Sequence, residues 1–371
     1  MDFDFSDDQQ QLRDAVSRWV DKAYTFERRR AITEAGGFDR TAYGELAELG
    51  LTGLCVPGEH GGMDMGPVEA MVVMEELGRG IVLEPLTQTL ITSATLQTHA
   101  PAPLQAAWLP RMAAGEAIVV LAHQERAARY QLNRCAAVAT ESGGNWTVSG
   151  TKSVVAVGDQ ADAFVVPATA NGQIALFLVE SSASGVRTQG YVTQDGSRAA
   201  EVQLDKASAQ LITLNGLSAL EEAVDIGIAC TCAEAVGVMD KTLAITVEYM
   251  NTRKQFGVPI ASFQALRHRV ADMKMQLELG RSMSYYATLK LHAPAEERRR
   301  AMARAKYQLG TSMRYIGQQA VQLHGGIAVT DEYIVSHYFK KLTQLDMSFG
   351  DTLHQLGEVS ARMQETAGVF A

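Results

Sequence analysis

The sequence predicts an α+β protein that changes structural class twice along the chain. Three observations carry that prediction. Up to about residue 117, and again from about residue 216, apolar residues recur at the three- and four-residue spacing of buried helix faces. Between these stretches, short β-branched runs are separated by Gly-containing turns. Helical and strand segments are also not interleaved, which argues against a doubly wound βαβ sheet. The expected architecture is an N-terminal helical domain (1–117), a small antiparallel β-barrel or sandwich (118–215) and a C-terminal four-helix bundle (216–371).

In chain order, Ser6 followed by Asp7 and Asp8 is a helix start, with Leu12, Val16, Trp19 and Val20 on one face. A second helix is expected over Thr41–Leu49. The Pro and Gly residues of Leu54–Gly62 predict an irregular loop. Pro67 suits a first helical position, and the helix it opens is expected to stop at Gly78. Pro85 opens a helix to about Leu96, and a further short helix spans Trp108–Ala114. Strands are expected at Ala117–Leu121, Ala136–Thr140, Trp146–Ser149, Lys152–Val157, Ala163–Pro167, Ile174–Val179, Gly190–Thr193 and Ala199–Leu204. Long helices then run from about Leu217 to an elbow at Arg253, from Phe263 to Leu291, and from Glu296 to Gly325-Gly326. The stripe of the third is Met302, Leu309, Met313, Ile316, Ala320 and Leu323. A last helix covers Leu353–Thr366.

Composition narrows the function classes. With 47% hydrophobic and 20% charged residues, the chain is an ordinary globular protein able to bury a large core. Its net charge of −9 argues against a general nucleic-acid binder. No run approaches the ~18 apolar residues of a membrane span, and the acidic N-terminus is unlike a signal peptide, so a cytoplasmic protein is expected. The four cysteines form no CxxC pair and are expected to be buried thiols. No pair of the eight histidines has a metal-ligand spacing such as HExxH, and no metal site is expected. Walker A, GxGxxG and GxSxG motifs are absent.

One stretch suggests a site. Asn251–Gln264 joins two long helices and holds a guanidinium (Arg253) and an aromatic ring (Phe256) beside Gly257 and Pro259. An arginine fork suits a phosphate or pyrophosphate. It is equally the side chain of a plain helix connection. Gly325-Gly326 is similarly double-valued, since it caps a helix and would also admit a ligand to the backbone.

Arg253-Lys-Gln-Phe-Gly257, Phe263-Gln264, Arg269–Met273, Gln322-Leu-His-Gly-Gly326, Thr330–Tyr333, Leu51–Gly62 and Glu75–Gly78 together resemble the acyl-CoA dehydrogenase family over essentially the whole chain. Within the family the sequence looks most like short bacterial members, including the small subunits of pimeloyl-CoA and steroid side-chain dehydrogenases. The resemblance implies that family's fold, and FAD held between subunits. Arg253 would meet the FAD pyrophosphate of a neighbouring subunit. Phe256 and Gln264 would lie along the cofactor, with Gln322, Gly325 and Gly326 at its adenosine end. Gln124 and Glu125 fall where the family often has Thr-Glu, but the following turn reads Arg126-Ala-Ala-Arg129. The flavin-facing strand has Val154 and Ala156 where Trp and Thr are frequent.

The activity implied is FAD-dependent α,β-dehydrogenation of an acyl-CoA thioester, in fatty acid or steroid degradation. Electrons would pass to an electron-transferring flavoprotein, and the assembly would be a homo- or hetero-oligomer. The chemistry needs a carboxylate to take the α-proton. The usual place for that Glu, counted from Gly326, falls on Phe349, and the family's second place falls on Gly227. Asp351 is the nearest substitute. Loss of both bases leaves two alternatives: a non-catalytic, FAD-sharing subunit of a heteromeric dehydrogenase, or a flavin reaction on a CoA thioester that removes no α-proton.

Overall fold

The structure is a computed structural model and describes residues 5–366. The helices before the sheet are α1 (Asp7–Lys22), α2 (Phe26–Glu34), α3 (Arg40–Glu48), α4 (Pro67–Arg79), α5 (Leu86–His99) and α6 (Ala102–Ala113). The strands are β1 (Val119–Leu121), β2 (Val138–Ser142), β3 (Asn145–Ala156), β4 (Ala163–Ala170), β5 (Gln173–Glu180), β6 (Val186–Val192) and β7 (Arg198–Thr213). Then come α7 (Gly216–Thr252), the two-residue strands β8 (Lys254–Gln255) and β9 (Val258–Pro259), α8 (Gln264–Lys290), α9 (Ala295–His324), α10 (Ile334–Met347) and α11 (Thr352–Thr366). The order helix, strand, helix is as the sequence predicts. The chain forms two compact units: residues up to 28, 71–82 and from 228 onward make one, and residues 29–70 and 83–227 the other.

The second unit is built on the sheet. Strands β4, β2, β3, β7 and β5 follow one another, and β5 pairs back onto β4, so the sheet closes into a small barrel. Its filling includes Val148, Phe164, Val166, Phe177, Val179 and Val202. Most pairings are antiparallel, but β1 and β2 both run parallel to β4, so the sheet is mixed. The free edge of β1 is satisfied by helix side chains. Gln88 accepts from the Leu121 N–H at 3.0 Å, and Thr92 donates to the Val119 carbonyl at 2.9 Å. The two strands expected at Trp146–Ser149 and Lys152–Val157 are one, β3. It shifts register between Val148 and Gly150 and again between Lys152 and Val155. Val154 lies in the second shift at φ 54°, outside the usual range of a β-branched residue.

The first unit is helical. The Ser6 cap is a full capping box with Gln9. Gly78 does not stop α4, which runs on to Arg79. A Cβ on Gly78 would sit 2.1 Å from the Glu234 carbonyl oxygen, and one on Gly237 would sit 1.8 Å from that of Glu75. The two glycines let α4 and α7 cross backbone to backbone. Glu75 and Glu76, in the same motif, are buried and bind Arg13, at 3.2 and 2.9 Å, and Glu75 also binds Arg281 at 3.2 Å. The last stretch holds a helix the sequence reading leaves out. α10 packs on α9 and buries Val335, Tyr338, Leu342 and Leu345.

Candidate functional site

The elbow is a miniature hairpin. α7 ends at Thr252, and the Arg253 N–H still closes a helical bond to the Tyr249 carbonyl at 2.8 Å. Lys254 then pairs with Pro259 and Gln255 with Val258. The two residues between, Phe256 and Gly257, both have positive φ, 53° and 84°, as a type I′ turn requires. Gly257 adopts this readily, whereas an aromatic residue pays about 1–2 kcal/mol. Phe256 is 92% exposed, with only the edge-on ring of Phe263 beside it at 6.2 Å. A strained, exposed aromatic at a hairpin tip is costly in the free chain. Arg253 is also exposed, and among the described residues its guanidinium has no ion-pair or hydrogen-bond partner. Gln264 is the first residue of α8 and exposed.

The glycine pair follows α9. Gly325 has φ 68° and ψ −145°, a conformation that needs glycine, and its N–H is held by the Val321 carbonyl. Nothing lies within 4 Å of where a Cβ would stand on Gly325 or on Gly326. Gly326 has no positive φ, so neither crowding nor backbone conformation within the chain explains it. Gln322 is exposed on the last turn of α9. Elbow and glycine pair are brought together by Tyr249, whose hydroxyl donates to the His324 carbonyl at 3.2 Å.

Gln124 belongs to the other compact unit. Its carbonyl accepts from the Ser153 N–H at 2.9 Å, which ties the segment after β1 to β3. The neighbouring Glu125 is buried and occupied. It accepts from Lys152 Nζ at 2.7 Å and from the N–H groups of Ala136 and Ala137 at 2.7 and 3.1 Å. Burial pushes its carboxyl up, but Lys152 and the two N–H donors outweigh that and leave it below the usual range. Lys152, fully buried, also donates to the Pro167 carbonyl at 2.8 Å. This pair fixes the root of the Arg126–Arg129 turn.

The region where a base is expected has a defined geometry. Phe349 and Gly350 both have positive φ, 55° and 104°. Gln355 donates to the Phe349 carbonyl at 3.0 Å. Asp351 caps α11, its Oδ1 accepting from the His354 N–H at 2.8 Å. Thr352 donates to Asp346 at 2.6 Å, against Gly310, where a Cβ would lie 2.0 Å from the Thr352 hydroxyl. Beneath the turn, buried Lys306 donates to the carbonyls of Leu345 and Asp346 at 2.8 and 2.9 Å. Burial lowers its pKa to about 8. Gly227 is buried within α7 and followed by Ile228, so that position offers no carboxylate. Lys306 and Tyr249 were not singled out from sequence. Lys306 had a signal, because it falls on the apolar stripe of α9 between Met302 and Leu309.

An exposed, unpaired guanidinium on an elbow tied through Tyr249 to an open, side-chain-free cradle suits the diphosphate and adenosine of a dinucleotide. Such a cradle in a chain that runs helix, barrel, helix marks a protein that holds a dinucleotide cofactor. The N-terminal domain model of acyl-CoA dehydrogenases matches residues 6–116 and the C-terminal domain model matches residues 215–364. The chain belongs to the acyl-CoA dehydrogenase family, FAD-dependent oxidoreductases that act on CH–CH bonds. It is 26% identical to acyl-CoA dehydrogenase FadE27 of Mycobacterium tuberculosis (strain ATCC 25618 / H37Rv), over 99% of this chain and all of that one. Among solved structures it resembles a variant of the Tcur3481-Tcur3483 steroid ACAD, with TM-score 0.90, 27% identity and coverage of 97% of this chain and 99% of that one. The ChsE4-ChsE5 complex from Mycobacterium tuberculosis also matches, with TM-score 0.90, 25% identity and coverage of 99% and 100%.

Proposed function

We propose that this chain takes part in the α,β-dehydrogenation of an acyl-CoA thioester as a subunit of an oligomer. Its Arg253 elbow and Gly325-Gly326 cradle would hold the diphosphate and adenosine of an FAD whose ring lies in a neighbouring subunit. The observation that carries this reading is the unpartnered, exposed Arg253, on an elbow tied through Tyr249 to two glycines that packing does not explain. Phe256 and Gln264 would flank the cofactor, Gln322 would meet its adenosine end, and Gln124 would line the flavin side of the barrel. The three-domain division at 117 and 215, a cytoplasmic location and an electron-transferring flavoprotein as acceptor belong to the same proposal.

When bound, FAD supplies the acceptor for the substrate's β-hydride. The chain's own task is to orient the thioester and remove the α-proton, which needs a carboxylate in reach. Asp351 is the candidate base, but one of its oxygens already caps α11. Serving as base would give up part of that cap, or use the other oxygen.

A second reading is favoured by a specific observation: the usual base positions are Phe349 and Gly227. In this reading the chain completes the FAD site of a catalytic homologue and performs no chemistry itself. Among the similar structures are the ChsE4-ChsE5 complex and the steroid ACAD with its two-part name, which suits a heteromeric assembly acting on steroid-derived acyl chains. A thioester reaction without α-proton removal would also tolerate Phe349.

One experiment separates these. The purified chain is assayed anaerobically with a panel of acyl-CoA esters and a dye acceptor, alongside Asp351→Asn and Phe349→Glu. Turnover lost in Asp351→Asn supports Asp351 as base, and unchanged turnover removes it. No turnover by the lone chain, with activity appearing on Phe349→Glu or on adding a catalytic homologue, supports the subunit role. Release of a leaving group without an oxidised product supports the third chemistry. Absence of flavin absorbance in every preparation, alone or in complex, would overturn the proposal.

A further inference from the structure

We propose that Tyr249 and His324 are positioning residues for the cofactor. As a stacked pair they lock the arginine elbow to the glycine cradle, so that the two halves of the clamp move as one. This rests on the FAD reading above and adds residues to it. Tyr249 lies one helical turn before Arg253 and accepts that residue's N–H at 2.8 Å. Its hydroxyl donates to the His324 carbonyl at 3.2 Å, and the two rings stack with centroids 4.4 Å apart. The peptide between His324 and Gly325 is therefore held at both ends, its C=O by Tyr249 and its N–H by the Val321 carbonyl. That peptide sets the direction in which the open glycines leave α9. Tyr333, just before α10, closes the cluster at 5.4 Å from the His324 ring.

The histidine is a poor choice for stability alone. Its Nδ1 faces the Ala320 carbonyl at 2.8 Å, so Nδ1 carries the hydrogen and Nε2 bears a lone pair. Among the described residues Nε2 is buried with no donor, an arrangement that destabilises a fold. A leucine would fill the space without that defect. What leucine cannot supply is the bond to Ala320 and the flat face against Tyr249. The side chain is thus better suited to fixing the cradle than to filling the core.

The test compares wild type with Tyr249→Phe, His324→Leu and Arg253→Ala. FAD affinity of the full chain, in the oligomer it forms, is measured by flavin fluorescence titration, and the unfolding midpoint of the FAD-free protein is measured separately. Tyr249→Phe and His324→Leu are each expected to weaken FAD about tenfold, the loss of one well-placed hydrogen bond. The FAD-free midpoint should fall by no more than a few degrees in the first, for the lost internal bond, and stay or rise in the second. Arg253→Ala should lose FAD outright. If Tyr249→Phe and His324→Leu bind FAD as wild type does while Arg253→Ala does not, the clamp stands and the positioning role falls. The role also falls if both variants lose FAD only in step with lost stability. If Arg253→Ala binds FAD as tightly as wild type, the FAD reading itself fails and the inference goes with it.

Discussion

Lys306 has the most consequential single side chain outside the clamp. It is a buried cation whose hydrogen-bond partners are two neutral carbonyls, while the carboxylates of Asp346 and Asp351 attract it without a direct bond. Burial lowers its folded pKa to about 8, against an ordinary 10.5. Between those values the unfolded chain binds the extra proton, so this group's contribution to stability rises with pH. The ionised form imposes its full cost below about pH 8, and the cost is relieved as pH climbs toward the unfolded value. Cys232 opposes it at the alkaline end. Burial pushes that thiol up to about 12, so its contribution falls once the unfolded thiol ionises. The comparison that isolates Lys306 is wild type against Lys306→Met by urea unfolding. From pH 7.5 to 9.5, wild type should gain up to about 2 kcal/mol relative to the variant. Parallel pH profiles would mean that Lys306 is not strained in the folded state. From sequence the residue was visible only as a charge on an apolar stripe, and what it binds, some forty residues on (345 and 346), no spacing rule reveals.

At the scale of elements, the sequence was most legible where start signals and periodicity agree. The Ser6 cap, Pro67 and the long stripe of α9 each became the helix expected. Two helices were missed for opposite reasons. α2 has no apolar face to read: its buried residues are Arg29 and Ile32, and Arg29 is held by the distant Asp195 carbonyl. α10 has a clear stripe but no start signal, because Tyr333 precedes it and makes no side-chain cap. Gly78 misled in a third way, since a glycine that permits a helix crossing has the same sequence signature as one that ends a helix. The site divided along similar lines. Arg253 and the glycine pair stand out locally, whereas Tyr249 and His324 are 75 residues apart and meet only through packing. The crossing can be tested against the contact of Gly310 with Thr352, whose hydroxyl binds Asp346. Gly237→Ala drives a Cβ into the Glu75 backbone, which cannot swing aside, and should cost about 3 kcal/mol. Gly310→Ala meets the Thr352 hydroxyl, which can rotate away for the loss of its bond to Asp346, and should cost about 1–2 kcal/mol. Chemical unfolding of both variants checks the order, and an equal or reversed order would show that α4 and α7 can separate.

For the whole molecule, the question is why a chain of ordinary composition leaves its most specialised residues bare. Phe256 is almost fully exposed in a strained conformation, Val329 beyond the glycine pair is 75% exposed, and Arg253 has no counter-charge among the described residues. A finished site would bury the aromatic and neutralise the guanidinium. Both become reasonable if a second polypeptide brings a diphosphate and an apolar surface to this face. Cofactor retention and assembly should then be one equilibrium, because each supplies what the other lacks. Diluting the yellow protein should lower its flavin-to-protein ratio and its mass over the same concentration range. Added free FAD should shift both transitions to lower protein concentration together. Arg253→Ala should assemble less tightly at any FAD concentration that saturates wild type. Light scattering coupled to absorbance at the flavin and protein bands measures both quantities in one run. A monomer that keeps its flavin on dilution would show that one chain encloses the whole cofactor, and the exposed elbow would then need a different explanation.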